Sequence, residues 1–294
     1  MKALRTIGLT AFLAVFLTGP ALAAQPPVGL GTAGGFAILA SQTITNTGAT
    51  TITGDVGLSP GTSVTGFETV TLHGTQHVAD APALQAQNAL TTAYTNASGR
   101  TPVTTIAAQL GGQVLVAGVY ASQDGAFLLT GALTLNGEGN PNAVFVFQAA
   151  STLTTASGSS VVLSGQAQAC NVFWQIGTSA TLGTRSALRG TIMAQASITM
   201  TTGASLDGRA LARTGAVTLD TNVVAPSACS VAAATPAPPA AASSTAPAGT
   251  VPPTSTNGSG DSGSGTNPST IILFAGLAAG AAFVAIRRLS VLHR

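Results

Sequence analysis

Threonine hydroxyls recur at nearly equal intervals in the second half of the chain. Thr181, Thr199 and Thr218 mark this period, and each stands in a short polar–apolar alternation. A threonine hydroxyl can hold a water molecule, and β-branching keeps the side chain in few rotamers. These residues therefore suit the binding of ordered water. The column of hydroxyls predicted on this surface contains Thr152, Thr181, Thr199 and Thr218, and it is flanked by Thr43, Thr45, Thr154, Ser179 and Ser197. The alternative is that outward threonines merely suit β structure and solubility.

Carboxylates and imidazoles offer little further chemistry. Asp55 and Asp207 stand next to glycines in turn-like contexts, which favours a capping role over catalysis. His73 and His77 have a spacing seen in metal sites, but no acidic third ligand is evident, so they are interpreted as surface histidines. No catalytic residue, metal site or cofactor is predicted.

The elements that position the hydroxyls form a repeat. Residues 172–175, 191–194 and 209–212 each precede a short alternating strand, at 179–182, 197–200 and 216–219. This short and nearly constant period predicts a mainly β fold, a triangular β-solenoid whose coils each carry three short strands. Earlier coils are predicted from 144–154 and 36–45. Alternation places one set of side chains inside: Leu153, Ala180, Leu182, Ile198, Met200, Val217 and Leu219.

One stretch breaks the strand pattern. Residues 79–99 show helical spacing, which predicts a single long α-helix packed alongside the solenoid. Its predicted apolar stripe consists of Leu84, Ala86, Leu90, Ala93 and Tyr94.

The two ends of the chain predict export and anchoring. Residues 1–23 have the basic, apolar and small-residue regions of a signal peptide. The folded domain is expected over 24–230. A stalk, rich in Pro and Ala and then in Gly and Ser, follows over 231–268. Residues 269–288 are predicted to be a transmembrane helix, and the basic tail 289–294 is expected to be cytoplasmic. The domain would then lie on the extracellular face of the membrane.

Charge is scarce throughout. Charged residues make up 6% of the chain, and between residues 24 and 267 there are five arginines, no lysine and all eight acidic residues. Without a basic stripe, nucleic-acid binding is not expected. Cys170 and Cys229 are predicted to form a disulfide in an oxidising compartment.

Several ordered motifs resemble those of the DUF3494-type ice-binding proteins of bacteria and fungi. They are LGTAGGFAILA at 30–40, TGDVGLSPG at 53–61, TGF at 65–67, GVY at 118–120, NPNAVF at 140–145 and LDGRA at 206–210. The resemblance covers roughly residues 28–224. It implies a discontinuous right-handed β-solenoid with one accompanying helix, and an affinity for ice.

These observations together predict a cell-surface protein that adsorbs to ice through a flat, threonine-rich side of the solenoid. Its expected partners are ice and, through the C-terminal helix, the membrane. A surface adhesin or structural cell-envelope module that binds cell-wall polysaccharide or protein is the alternative. A carbohydrate-active β-helix enzyme is the least favoured interpretation, because such an enzyme needs paired carboxylates.

Overall fold

The computed structural model describes residues 25–230, which form a mainly β structure with one α-helix. The helix α1 spans Ala81–Ser98. The strands before it are β1 (Phe36–Ala40), β2 (Thr43–Thr47), β3 (Thr50–Thr53), β4 (Asp55–Leu58), β5 (Ser63–Thr65), β6 (Val70–His73) and β7 (Gln76–Val78). The strands after it are β8 (Thr104–Ile106), β9 (Val114–Val116), β10 (Gly118–Ser122), β11 (Phe127–Leu129), β12 (Ala132–Asn136), β13 (Phe145–Ala149), β14 (Leu153–Thr155), β15 (Ser160–Ser164), β16 (Val172–Ile176), β17 (Ala180–Leu182), β18 (Ala187–Ala194), β19 (Ile198–Met200), β20 (Ser205–Ala212), β21 (Val217–Asp220) and β22 (Val223–Val224).

The strands pair in parallel and stack as the coils of a solenoid with three sides. The threonine side is a seven-stranded sheet in the order β11-β14-β17-β19-β21-β2-β5. The helix side contains β8, β10, β13, β16, the second halves of β18 and β20, β1, β4 and β7. The valine side contains β9, β12, β15, the first halves of β18 and β20, β22, β3 and β6. The predicted mainly β architecture with a single accompanying helix is confirmed.

The stacking order differs from the chain order. The coil that starts at β1 stacks on the C-terminal coil, since Ile38 is the Cα partner of Ala210 and Thr51 is that of Val223. Helix α1 connects β7 at one end of the helix side to β8 at the other. Eight inter-strand steps separate β7 from β8, or about 38 Å at strand spacing. An 18-residue helix spans about 27 Å, so the flanking loops cover the remainder.

Aromatic side chains stack through the middle of the solenoid. The rings of Phe147 and Trp174 are 4.1 Å apart and nearly parallel, and Tyr120 continues the stack at 5.6 Å from Phe147. The indole nitrogen of Trp174 donates to the carbonyl of Arg189 at 2.9 Å, so its one polar group is satisfied inside the core. The seven side chains predicted to point inward are all buried.

Helix α1 packs on the helix side through small residues. Asp80 caps it by accepting a hydrogen bond from the backbone N–H of Ala83 at 3.0 Å, and this bond lowers the pKa of Asp80. Ala86, Leu90 and Ala93 are buried against a second cluster of outward-facing core residues. The stripe prediction was wrong at Leu84, which is 52% exposed, because Ala83 and not Leu84 lies on the buried flank.

A glycine column turns the corner between the valine and helix sides. Gly190 and Gly208 are Cα partners in the middle of the two long strands β18 and β20. Gly190 has a φ of 107°, and a Cβ there would meet the carbonyl oxygen of Val172 at 2.5 Å. Glycine is therefore required for β18 to bend without ending.

The predicted disulfide between Cys170 and Cys229 is confirmed, with the Cα atoms 5.4 Å apart. Within residues 25–230, no helix has the length and apolar character needed to cross a membrane. The signal peptide, stalk, transmembrane helix and tail predicted at 1–23, 231–268, 269–288 and 289–294 lie outside the described residues.

Candidate functional site

The middle column of the threonine side is a continuous ladder of threonines. Its members follow one another as Cα partners on successive strands from β14 to β5. In stacking order, the threonine ladder is Thr154, Thr181, Thr199, Thr218, Thr45 and Thr65. Leu128 on β11 precedes Thr154 and ends the column with an apolar side chain.

Alternation along each strand forces these threonines outward. Thr181 stands between buried Ala180 and Leu182, and Thr199 stands between buried Ile198 and Met200. Successive side chains of a strand point to opposite faces. Because the flanking residues fill the core, the hydroxyl between them faces solvent.

The prediction that Thr152 belongs in register with Thr181 is wrong by two positions. Thr154 is the Cα partner of Thr181, and Thr152 precedes β14. The triplet Thr152-Leu153-Thr154 offers two outward threonines. Because a long loop lies between β15 and β16, residue spacing alone does not tell which of the two is the partner of Thr181.

Sequence reasoning also missed Thr65, which is the Cα partner of Thr45. The available signal was the polar–apolar–polar triplet Ser63-Val64-Thr65, which repeats the pattern of Thr43-Ile44-Thr45 one coil later.

A second column beside the ladder contains the remaining predicted hydroxyls. The backbone N–H of Ser197 donates to the hydroxyl oxygen of Ser179 at 3.3 Å, and that of Ala216 donates to the hydroxyl oxygen of Ser197 at 3.2 Å. Thr43 is the Cα partner of Ser63 in the same sheet. The serine hydroxyls are therefore held in place by the strands that they border.

The ladder hydroxyls, in contrast, are available to solvent. Within residues 25–230, the hydroxyls of Thr154, Thr181, Thr199 and Thr218 make no hydrogen bond to protein. At the far end, Thr65 donates to the hydroxyl oxygen of Thr45 at 3.4 Å. Most of the ladder thus retains its full capacity to bind water.

The threonine side is close to electrically neutral. Of the residues in its seven strands, Asp220 alone is ionisable. It ends β21 outside the ladder and accepts hydrogen bonds from the hydroxyls of Thr202 and Thr221. No charge therefore interrupts the column of hydroxyls.

The other polar candidates serve local structure. Nδ1 of His77 lies 2.7 Å from the Asp80 carboxylate, at the start of α1. Asp55 accepts a hydrogen bond from the backbone N–H of Thr75 at 2.8 Å, and Asp207 accepts from both the backbone and the hydroxyl of Ser227. His73 lies on β6 at the edge of the valine side. In the part of the chain that the structure describes, no three His, Cys, Asp or Glu side chains cluster as metal ligands.

The fold and this surface define a class of protein: a parallel β-solenoid that presents an uncharged column of hydroxyls to solvent. The family described as ice-binding-like matches residues 38–225. An ice-binding protein of Nostoc sp. (strain HG1) is 50% identical over 197 residues, which cover 66% of this chain and 72% of that protein. The chain belongs to this ice-binding-like family.

Solved structures of similar proteins share the fold. The crystal structure of an ice-binding protein from an Antarctic biological consortium has a TM-score of 0.67 and 45% identity, covering 75% of this chain and 96% of that one. The ice-binding protein of the Antarctic ascomycete Antarctomyces psychrotrophicus has a TM-score of 0.65 and 44% identity, with coverage of 68% and 98%.

Proposed function

We propose that this protein binds ice through the threonine side of the solenoid. The observation that carries the proposal is the threonine ladder itself, in which six strands in succession present a threonine in register. Relatives across bacteria and fungi bear the name of ice-binding proteins, which supports the same function.

The binding mechanism follows from the spacing and the rigidity of the ladder. Neighbouring strands are about 4.8 Å apart and alternate residues of a strand about 6.7 Å apart, distances comparable to repeats in the ice lattice. Each hydroxyl anchors a water molecule, and each methyl group leaves its neighbouring waters ordered. Because the backbone is fixed by parallel pairing, the array holds lattice-like water before the crystal is met, and many weak contacts then act together.

This function needs no bond-breaking chemistry, and we assign none to the protein. The carboxylates weighed for catalysis, Asp55 and Asp207, accept hydrogen bonds from neighbouring loops. The names of the similar proteins lend no support to a polysaccharide adhesin.

Replacing one threonine at the centre of the ladder tests the proposal. We expect Thr199→Tyr to abolish thermal hysteresis and ice recrystallisation inhibition, because the ring stands above the plane in which the ordered water must lie. Thr181→Tyr should do the same. Thr134→Tyr is the matched control, since Thr134 is also a half-buried, outward threonine but lies on the valine side. Full activity in both ladder variants, with unchanged thermal unfolding, would show that another surface binds ice.

We propose further that the protein is exported and held at the cell surface by its C-terminal segment. Residues 271–286 carry no charge, and Arg287 and Arg288 follow them directly, which is the pattern of a membrane span with a cytoplasmic end. After expression in a bacterial host, the full chain should fractionate with membranes and be sensitive to external protease. A chain ending at Ser230 should be released. Recovery of the full chain in the medium would contradict the anchor.

A further inference from the structure

A cleft of about 360 Å³ lies where the two ends of the described chain meet the helix side. One wall comes from the segment before β1, including Leu30 and Gly34, and another from the segment after β22, including Ser227 and Cys229. Phe173 and Arg209 contribute from the helix side itself. Among the described residues that line the cleft, Arg209 is the only charged one.

Arg209 is held in position from below and from one side. It continues a column of Cα partners formed by Phe173 and Thr191 on the two preceding strands, both of which are buried. Its Nε atom donates to the carbonyl oxygen of Gly34 at 2.9 Å. The guanidinium is thereby fixed beside the cleft, and its two terminal nitrogens remain available to a ligand.

The charge of Arg209 is partly dehydrated, and its hydrogen bond goes to a neutral carbonyl and not to an acid. Burial lowers the pKa of Arg209, and within residues 25–230 no carboxylate lies within salt-bridge distance of it. In two other arginines, by contrast, terminal guanidinium nitrogens donate hydrogen bonds to protein groups. The terminal nitrogens of Arg100 donate to the carbonyls of Pro26 and Pro27 and to Asn96, while Arg213 donates to Gln195 and lies over the ring of Tyr94.

A half-buried cation without a counter-ion makes the folded protein less stable, and an anion bound in the cleft would offset this cost. A planar guanidinium with two free nitrogens matches a carboxylate in a bidentate pair. The surrounding wall is mixed, with apolar Leu30, Phe173 and the Cys170–Cys229 disulfide beside polar Asn171 and Ser227. Such a wall suits a carboxylate carried on a ring that also bears hydroxyl groups better than a small, fully hydrated ion.

We infer that this cleft is a binding site for a small organic carboxylate of about the size of a hexuronic acid, with Arg209 as the residue that pairs with the carboxylate. The site lies on the helix side and is separate from the threonine ladder. Its occupancy is therefore independent of ice binding, and either assignment can fail without the other.

Titration of the full-length protein with sodium glucuronate tests the site, with calorimetry as the readout and glucose as the neutral analogue. We expect saturable binding of glucuronate and none of glucose. Arg209→Gln should weaken the affinity by roughly tenfold or more, the effect of losing one charge-assisted pair. Arg189→Gln is the matched control, because Arg189 is a half-buried arginine on the valine side, and it should bind as the unmodified protein does.

Two results would overturn the inference: equal affinity in Arg209→Gln, or equal affinity for inorganic phosphate, which would remove the carboxylate preference. Should Arg209→Gln fail to fold, backbone amide shifts of the unmodified protein decide the matter. Glucuronate should then shift the resonances of Gly34 and Ser227, and their invariance would reject the site. Thermal hysteresis of a folded Arg209→Gln should be unchanged.

Discussion

Asn222 joins three coils at the point where the threonine ladder passes from the C-terminal to the N-terminal part of the chain. Its side chain donates to the carbonyls of Thr201 and Ala204 at 2.9 and 3.0 Å and accepts from the backbone N–H of Asp220 at 2.7 Å. Its backbone N–H donates to the hydroxyl of Thr50 at 3.0 Å, on the coil stacked above. At 1% exposure, none of these groups has water as an alternative partner.

Asn222→Ala should therefore lower the free energy of unfolding by about 3 kcal/mol, since it leaves the carbonyl of Ala204 and the N–H of Asp220 without a partner and removes one of the two hydrogen bonds to the carbonyl of Thr201. Urea denaturation of the purified protein measures the difference. Asn142→Ala is the control, because Asn142 is exposed, and its effect should stay within about 0.5 kcal/mol. A loss for Asn222→Ala no larger than the control would mean that the paired strands alone hold the joint.

At the scale of the strands, polar–apolar alternation was enough to predict which side chains face the core. The interior set from Leu153 to Leu219 is buried throughout, and Thr181, Thr199 and Thr218 lie in register as their spacing predicted. Alternation has a period of two, so it cannot distinguish Thr152 from Thr154 once a loop of irregular length intervenes. That ambiguity produced the misassignment in the ladder.

The order in which the coils stack could not be predicted from the periodicity of the sequence. The period of the repeat is the same whether coils stack in chain order or not. The structure places β1 to β3 beyond β22 and uses α1 to return the chain to the other end; the sequence indicated this order only through family resemblance. The cleft beside Arg209 was not predicted for a related reason. Its walls come from segments at opposite ends of the described chain, which only this stacking brings together.

At the scale of the whole molecule, the two ends of the described chain close over the same region of the helix side. The segment before β1 contributes Pro26 and Pro27, whose carbonyls accept from Arg100 just after α1. The segment after β22 is tied down by the hydrogen bonds from Ser227 to Asp207 and by the disulfide from Cys229 to Cys170. The chain between the two cysteines includes the strands that carry Thr181, Thr199 and Thr218.

The disulfide should stabilise the solenoid without shaping the ice-binding surface. It spans 59 residues, and in the chain-entropy model a loop of that length contributes about 4 kcal/mol to stability. We expect the double variant Cys170→Ser, Cys229→Ser to lose about that much free energy of unfolding in urea. It should keep its thermal hysteresis near the freezing point, because the ladder strands are held by parallel pairing on the threonine side, whereas the disulfide lies at the helix side. Reducing the unmodified protein should reproduce the loss, and reductant should leave the variant unchanged. Loss of hysteresis in a variant that is still folded would show instead that the Cys170–Cys229 disulfide is needed to keep the threonine ladder in register.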